Sequence, residues 1–291
     1  MSLTDNAKSN RLRPVVCGVI PARLESRRLP RKPLRLICGR PMIAWVYERA
    51  ALSTAFNSLL IATDSGEILE YCTRTGIPAR LTSSVHASGT DRLIEVLDED
   101  CSSRQSADVY VNIQGDEPMV TAEHIRLLLG PFCNDADRVE TAGDGRVGLD
   151  GTGGGSLTAV QVSTLKVAIS SKEAQDPNIV KVVTDCRGRA LYFSRTAIPF
   201  NRGDSVRARY YKHLGFYAYT VEALRRFRAL PPSALEQTEC LEQLRFLENG
   251  IPIGVLETSD DTIGVDTEHD LERVQEYFTK LASAPSFVNL G

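Results

Sequence analysis

Six cationic side chains fall within thirteen residues near the start of the chain. They are Arg23, Arg27, Arg28, Arg31, Lys32 and Arg35, and Glu25 is the one acidic residue in the stretch. Arginine grips phosphate oxygens through a fork of N–H groups, and lysine acts as a point charge. A solvated basic run has the same composition, so composition alone does not separate the two interpretations. The prolines that stiffen the stretch, and its place directly after an apolar segment, favour a polyphosphate site.

Two acidic positions elsewhere supply the ligand type that a hard metal ion prefers. Asp116 and Glu117 follow the apolar residues 109–114, and Asp266 stands between an apolar segment and a predicted helix start. Mg²⁺ binds through one or two carboxylates together with substrate phosphates and water. A lone aspartate at such a place more often caps a helix or forms a turn. The two acidic positions, taken with the cationic stretch, favour metal-assisted phosphoryl chemistry.

A third stretch, residues 86–92, opens a predicted helix with small and hydroxyl side chains. Ser88 and Gly89 would place backbone amides and a hydroxyl at the helix start, where they could contact a base or a ribose. Ser88 could equally serve only as the helix cap. From the residues alone the two interpretations stay open.

The elements that must position these groups are predicted from hydrophobic periodicity. Strands are predicted at 15–21, 58–63, 79–81 and 109–114, and helices at 41–52, 65–75 and from Gly89 onward, where Leu93, Ile94 and Leu97 share one face. Strands that alternate with helices indicate a doubly wound, mainly parallel α/β sheet. Ligands in such sheets lie beyond the carboxyl ends of the strands. The cationic stretch and Asp116 both come directly after predicted strands.

The second half of the chain has a different order of predicted strands and helices. Strands are predicted at 157–162, 180–184, 190–193, 213–219 and 253–257, and helices at 221–230, 239–249 and after Thr267, which can form a capping box with Asp270. A turn at 185–188 joins two of these strands. The sequence therefore predicts one domain over 15–281 with an antiparallel insertion or extension, between tails at 1–14 and 282–291.

A glycine-rich segment at about 137–156 interrupts this pattern. Residues 143–156 hold seven glycines, including a formal Gly143-x-Gly145-x-x-Gly148 match to the dinucleotide-binding fingerprint. That fingerprint requires a preceding strand and a following helix, and the sequence predicts neither here. The segment is predicted to be a surface loop inserted into the domain.

Composition excludes several classes of protein. The net charge of −3 over 291 residues gives no general attraction to nucleic acid or to an anionic membrane. The apolar runs have strand length, and the polar first fourteen residues do not form a secretory signal. Seven cysteines without a C-x-x-C pair predict reduced, buried thiols rather than a disulfide framework or a zinc site. A cytosolic protein with an ordinary globular composition is the class that fits best.

Motifs spread along the whole chain carry a family resemblance. In order, they read IPAR…S.RLP.KPL, H.SGTDRL.EV, VNIQGDEP, PN.VKVV.D..G.ALYFSR..IP, HLG.YAY and GVDT..DLERV. From about Val15 to Phe278 the chain resembles the 3-deoxy-manno-octulosonate cytidylyltransferases, also called CMP-KDO synthetases. The resemblance implies a nucleotidyltransferase fold related to Rossmann sheets, and usually a homodimer. It further implies Mg²⁺-dependent transfer of CMP from CTP to the sugar acid KDO, a reaction of lipopolysaccharide biosynthesis.

The resemblance also assigns residues by position. The cations that hold the CTP phosphates match Arg23, Arg28 and Lys32, and the metal-binding aspartates match Asp116 and Asp266. Contacts to the nucleoside match Ala22, Ser88 and Gly89. Contacts to the sugar acid match Gln114, Arg195, His213, Tyr217, Glu242 and Gln243. Arg28, Lys32, Asp116 and Asp266 are the catalytic set that the resemblance implies. The chain departs from the family at Arg31, where glycine is usual.

Other functions remain as alternatives. The same cytidylyl transfer could use 8-amino-KDO or a small phosphonate acid as acceptor. A glycosyltransferase of similar fold could use Asp116 and Glu117 as a metal site, but it would need no triphosphate loop, so Arg28 and Lys32 count against it. A nucleotide-binding regulator without activity would not need an intact set of Lys32, Asp116 and Asp266.

Overall fold

The computed structural model of the chain describes residues 13–26, 28–86, 88–133, 160–203 and 208–283. These residues form two compact units. The first unit is built from described residues of 17–106, 110–126 and 260–283, and the second from described residues of 13–16, 107–109 and 127–259. Among the described helices, none has both the length and the apolar character that crossing a membrane requires.

Some predicted features fall where the structure gives no description. Arg27 and the glycine-rich insertion at about 137–156 lie outside the described residues, as do most of the predicted tails at 1–14 and 282–291. The prediction of one domain over 15–281 stays a prediction.

The first half of the chain alternates strands and helices, as its periodicity predicts. In chain order the elements are β1 (Val16–Ala22), β2 (Leu36–Ile37), β3 (Arg40–Pro41), α1 (Met42–Ala51), β4 (Ser58–Thr63), α2 (Gly66–Thr75), β5 (Ala79–Leu81), α3 (Gly89–Ser102), β6 (Val109–Asn112) and α4 (Ala122–Leu129). Strands β6, β1, β4 and β5 lie side by side in that order. The β1–β4 and β4–β5 pairs are parallel, so their carboxyl ends share one edge.

Local sequence explains where the helices of this half begin. The Ser65 hydroxyl accepts a hydrogen bond from the Ile68 amide at the start of α2. Ser88 and Asp91 form a reciprocal capping box at the start of α3. The apolar face predicted for α3, Leu93, Ile94 and Leu97, is buried. These caps fix the helix starts next to the ends of the strands.

The second half contains the predicted antiparallel part. Its elements are β7 (Val162–Ile169), β8 (Lys181–Thr184), β9 (Ala190–Ser194), β10 (Tyr210–Thr220), α5 (Val221–Ala229), α6 (Ala234–Glu239), α7 (Leu244–Glu248) and β11 (Ile253–Thr258). Strand β10 runs antiparallel to β7 and β8, and β8 runs antiparallel to β9. Strand β11 is parallel to β7. The predicted α/β fold class, mainly parallel with an antiparallel extension, is confirmed.

The last helix, α8 (Glu268–Ala282), returns to the first unit and begins with the predicted Thr267–Asp270 capping box. Leu271, Val274 and Phe278 on this helix are buried in a cluster with Leu29 and Met42. Leu29 belongs to the cationic loop between β1 and β2, and none of its surface is exposed. Burying a leucine side chain contributes about 1.5–3 kcal/mol, so this contact anchors the loop.

Several element boundaries differ from the predictions. The strand predicted at 157–162 begins only at Val162 and continues to Ile169, and residues 157–159 lie outside the described part. The strand predicted at 109–114 ends at Asn112, because the chain turns there toward Asp116 and Glu117. The helix predicted at 239–249 is present only as the shorter α7, Leu244–Glu248. Cys240 adopts a left-handed φ of 53° and separates α6 from α7.

The predicted burial of the cysteines is wrong for most of them. Cys17 and Cys72 are buried, whereas Cys38, Cys186 and Cys240 are exposed. Cys186 lies in the turn between β8 and β9, and Cys240 in the reversal between α6 and α7. Such reversals face solvent whatever the apolar character of the flanking residues.

Candidate active site

A cavity of about 380 Å³ lies in the first unit, beyond the ends of β1 and β6. All nine of the predicted site residues that belong to this unit line it: Ala22, Arg23, Arg28, Lys32, Ser88, Gly89, Gln114, Asp116 and Asp266. They come from four separate stretches of the sequence. The fold therefore brings together the groups that were predicted to bind phosphate, nucleoside and metal.

The Lys32 ammonium is at the centre of this cavity. It donates to Asp116 Oδ2 at 2.6 Å and to Asp266 Oδ1 at 3.0 Å. The Arg28 guanidinium lies 2.8 Å from the other Asp266 oxygen, Oδ2. Two cations from the loop after β1 thus neutralise the two carboxylates that were predicted to hold metal.

The charge on Lys32 is maintained although its side chain is only 16% exposed. Burial by itself disfavours the ammonium, but the attraction of Asp116 and Asp266 outweighs it and raises the pKa of Lys32 above its usual value. Lys32 is therefore a permanent cation at neutral pH. It can exchange one set of anionic oxygens for another without a change of protonation.

Backbone geometry helps to place Lys32 in the wall of the cavity. Arg31 has a φ of 57° and caps a short 3-10 helix, Lys32–Leu34. This left-handed region is the one that glycine adopts without strain, which gives a physical reason for the glycine that is usual here in the resembling family. Arg31 forms an ion pair with Glu67, so its guanidinium is directed to an exposed carboxylate.

Gly115 allows the turn after β6 to approach the end of β1. A Cβ atom at this position would lie 2.7 Å from the Pro21 carbonyl oxygen, closer than real Cβ contacts occur. Any larger residue would push Gln114 and Asp116 away from the cationic loop. Sequence reasoning did not select Gly115 as a site residue, although its place between two predicted site residues was a usable signal.

A backbone hydrogen bond joins the two acidic positions. The Val265 amide donates to the Asp116 carbonyl oxygen at 2.9 Å. Val265 is itself buried in the cluster that contains Leu29. The separation of the two carboxylates is therefore set by main chain and core, and not only by their shared contact with Lys32.

The start of α3 forms another wall of the cavity. The Ser88 hydroxyl accepts from the Asp91 amide at 3.1 Å, so Ser88 does serve as a helix cap. Its cavity-lining position leaves room for the second predicted role, contact with a nucleoside. Gly89 lies against Pro21, since an added Cβ would come within 3.1 Å of Pro21 Cγ.

The carboxylates of Asp116 and Asp266 fit a magnesium ion that arrives with a phosphate ligand. One nitrogen atom contacts both carboxylates within 3.0 Å, so one small cation can reach both. Among the described residues, no group of three or more His, Cys, Asp or Glu side chains could hold a metal ion. Mg²⁺ commonly takes one or two carboxylates and completes its shell with phosphate oxygens and water. Asp116 and Asp266 have the chemistry for such a site.

A larger cavity, about 550 Å³, lies at the opposite ends of β4 and β5. Arg80 is the one charged side chain among the described residues that line it. Its guanidinium is neutralised by Asp100 at 2.6 Å and Glu99 at 3.5 Å. Charge and position beyond the strand ends, rather than size, identify the smaller cavity as the candidate active site.

The remaining predicted residues belong to the second unit. Arg195, His213, Tyr217, Glu242 and Gln243 lie on or next to β9, β10 and α7. The His213 and Tyr217 rings are neighbours, with centroids 5.3 Å apart. Burial raises the pKa of Tyr217 well above its usual value, and the charges of Tyr219 and Glu242 add to this effect. The phenol is therefore protonated.

Arg195 is held by several backbone contacts. Its Nε donates to the Glu239 carbonyl at 3.0 Å, and its Nη1 to the Pro177 carbonyl at 3.2 Å. The buried Lys181 ammonium donates to the Arg195 carbonyl at 2.5 Å. These contacts orient the guanidinium, and the Glu239 carboxylate, which accepts from the Arg195 amide at 3.0 Å, is close enough to interact with its charge.

His213 brings no positive charge to this part of the molecule. Burial, together with the charge of Lys212, lowers its pKa from 6.5 to about 3. The imidazole is therefore neutral at pH 7 and acts through hydrogen bonds. His213 therefore offers no positive charge to a carboxylate ligand.

Comparisons with known proteins agree with this geometry. Residues 17–258 match the protein family described as Cytidylyltransferase. A 3-deoxy-manno-octulosonate cytidylyltransferase from Acidobacterium capsulatum is 50% identical over 90% of this chain and 95% of its own length. The same enzyme from Lawsonia intracellularis is 42% identical over 95% and 99%, respectively.

A solved structure is similar in three dimensions. It is CMP:2-keto-3-deoxy-manno-octonic acid synthetase complexed with CTP, with a TM-score of 0.77 and 40% sequence identity. The match covers 92% of this chain and 99% of that one. The predicted nucleotidyltransferase fold is thereby confirmed.

The low pKa of His213 leads to a prediction about acid stability. Unfolded His213 binds a proton below pH 6.5, whereas folded His213 stays neutral until about pH 3, so the unfolded state binds more protons in this window. Stability therefore falls as the pH falls through it. Between pH 7 and pH 5 we expect the wild type to lose about 2 kcal/mol more than His213→Gln.

Urea unfolding of both proteins at the two pH values measures this difference. All other titrating groups are shared, so they cancel in the comparison. Equal pH dependence of the two proteins would contradict the neutral state of folded His213.

Proposed function

This chain belongs to the cytidylyltransferase family, and we propose that it transfers CMP from CTP to 3-deoxy-manno-octulosonate (KDO) with release of pyrophosphate. One observation carries the proposal: nine predicted residues from four stretches of the chain line a single charged cavity. The relatives that cover nearly the whole chain are enzymes of this specificity. The alternative acceptors and the glycosyltransferase reaction have no comparable support.

The reaction is a displacement at phosphorus. A hydroxyl of KDO attacks the α-phosphorus of CTP and forms the new O–P bond. The bond between the α-phosphorus and the bridging oxygen breaks, and pyrophosphate leaves with the electron pair. The proton of the attacking hydroxyl passes to solvent or to a neighbouring base. Negative charge therefore accumulates on the leaving group, where cations stabilise it.

The loop after β1 supplies those cations. Lys32 and Arg28 already contact anionic oxygens, those of Asp116 and Asp266, and a triphosphate offers them oxygens of higher charge. Arg23 adds a third cation to the cavity wall. The ammonium and guanidinium groups need not change protonation when they exchange carboxylate oxygens for triphosphate oxygens. The exchange therefore costs only the loss of the carboxylate contacts.

We further propose that Mg²⁺ is the cofactor and that Asp116 and Asp266 hold it. The ion would lower the repulsion between the triphosphate and the incoming hydroxyl. The support is the convergence of the two carboxylates on one nitrogen atom and the preference of Mg²⁺ for carboxylate and phosphate oxygens.

Recognition of KDO is assigned to Gln114 in the first unit and to the predicted residues of the second. The Arg195 guanidinium would bind the sugar-acid carboxylate. Neutral His213 and the protonated Tyr217 would contact hydroxyls, each through a single hydrogen bond. Glu242 and Gln243 would add acceptors and donors along the sugar.

We also propose that the enzyme is a homodimer and works in the cytoplasm, where CTP is made. Large apolar side chains on the second unit support an interface, since Leu191 is 61% exposed and Phe200 is 85% exposed. Light scattering should give twice the mass of one chain. The mass of one chain at micromolar concentration would contradict the dimer.

A two-way substrate screen tests the reaction itself. Pyrophosphate release is measured with CTP, ATP or GTP, each combined with KDO, 8-amino-KDO or a small phosphonate acid. We expect CTP with KDO to give the highest kcat/KM, with CTP preferred over ATP by at least about tenfold, because the pocket must match the hydrogen-bonding edge of cytosine.

Each other outcome of the screen would contradict a part of the proposal. Equal turnover of ATP would contradict cytidylyl transfer, and faster turnover of another acid would contradict KDO as the acceptor. A glycosyltransferase would release no pyrophosphate with any pair. Binding of CTP without turnover would indicate a regulator.

A further inference from the structure

Strand β10 is irregular between two of the predicted KDO-binding residues, His213 and Tyr217. Its pairing with β7 is regular as far as Leu214, which lies opposite Leu165. Pairing resumes with Tyr217 opposite Thr164, so the register of β10 against β7 shifts by two residues at this point. Bulges of this kind change the direction of side chains and are frequent beside active sites.

The Thr164 hydroxyl lies inside this bulge. Its Oγ1 is 2.7 Å from the Phe216 carbonyl oxygen, 3.2 Å from the Leu214 carbonyl oxygen and 3.0 Å from His213 Nε2. Thr164 is fully buried. One hydroxyl therefore contacts the backbone at the start of the bulge and within it, and also the ring of a predicted KDO-binding residue.

The number of protons decides how these contacts are made. A threonine hydroxyl has one proton, and two oxygen atoms 2.7 Å apart repel each other unless a proton lies between them. The Thr164 proton must therefore point to the carbonyl groups. Oγ1 is left as an acceptor toward His213, so Nε2 must carry the ring proton.

This contact also determines the protonation of the other ring nitrogen, Nδ1. A neutral ring with its proton on Nε2 has a lone pair on Nδ1. Among the described residues, Nδ1 of His213 has no hydrogen-bond partner, and the residue is not fully buried. Nδ1 is thus an acceptor available to a donor from outside the protein.

We infer that Thr164 is a positioning residue for acceptor binding: its hydroxyl holds the β10 bulge and keeps His213 in the Nε2–H tautomer, so that Nδ1 accepts a hydrogen bond from a hydroxyl of the substrate. The inference rests on the proposed function, which supplies a polyhydroxylated acid as the acceptor. Thr164 itself touches no substrate in this account. It acts through His213.

Two substitutions separate the hydroxyl from the shape of the side chain. Thr164→Val removes the hydroxyl and keeps the branched shape, whereas Thr164→Ser keeps the hydroxyl and serves as the matched control. Ring tautomers are read from long-range ¹H–¹⁵N correlation spectra of the ligand-free protein. The chain has only four histidines, and the spectrum of His213→Gln assigns the His213 signals.

We expect the Nε2–H tautomer in the wild type and in Thr164→Ser, and a mixture or the Nδ1–H form in Thr164→Val. In steady-state kinetics Thr164→Val should raise the KM for the acceptor about tenfold and leave the KM for CTP within about threefold. Thr164→Ser should restore the acceptor KM to near the wild-type value.

Three results would overturn the inference. They are an Nδ1–H tautomer in the wild type, an unchanged tautomer in folded Thr164→Val, and equal kinetic effects of the valine and serine variants. The spectra are recorded without substrates, so they test Thr164 even if the proposed reaction is wrong. The wild-type spectrum decides the question if Thr164→Val does not fold.

Discussion

One ammonium group determines how the phosphate end of the site is assembled. Asp116 and Asp266 come from distant parts of the sequence, and two neighbouring carboxylates repel each other unless a cation lies between them. Lys32 supplies that cation, with contacts of 2.6 and 3.0 Å. The loop after β1, the turn after β6 and the segment just before α8 are therefore held together before any ligand binds.

The two compact units offer different kinds of recognition. In the first unit, charged groups line the cavity, and a core cluster around Leu29 and Val265 holds their backbone in place. In the second unit, His213 is neutral and Tyr217 is protonated, so these two side chains act through hydrogen bonds. This difference matches a reaction that joins a highly charged nucleotide to a sugar acid rich in hydroxyls.

Sequence reasoning predicted the parallel strands and the charged site because both depend on local patterns. Arg28, Lys32 and Asp116 lie in the loops that follow apolar strands, and the ends of parallel strands meet at one edge of a sheet. The break at Cys240 and the role of Thr164 could not be predicted in this way. The first depends on a left-handed backbone at a residue that rarely adopts it, and the second on a bulge in the pairing of two distant strands.

Mn²⁺ binding without nucleotide, followed by electron paramagnetic resonance, tests most directly whether Lys32 occupies the place of the metal. The proteins are the wild type, Lys32→Met and Lys32→Met combined with Asp116→Asn, each checked for folding by circular dichroism. Lys32→Met should bind Mn²⁺ at least about tenfold more tightly than the wild type, because its two carboxylates lose the cation that they share. The double variant should lose this gain. Equal binding by all three proteins would contradict the account.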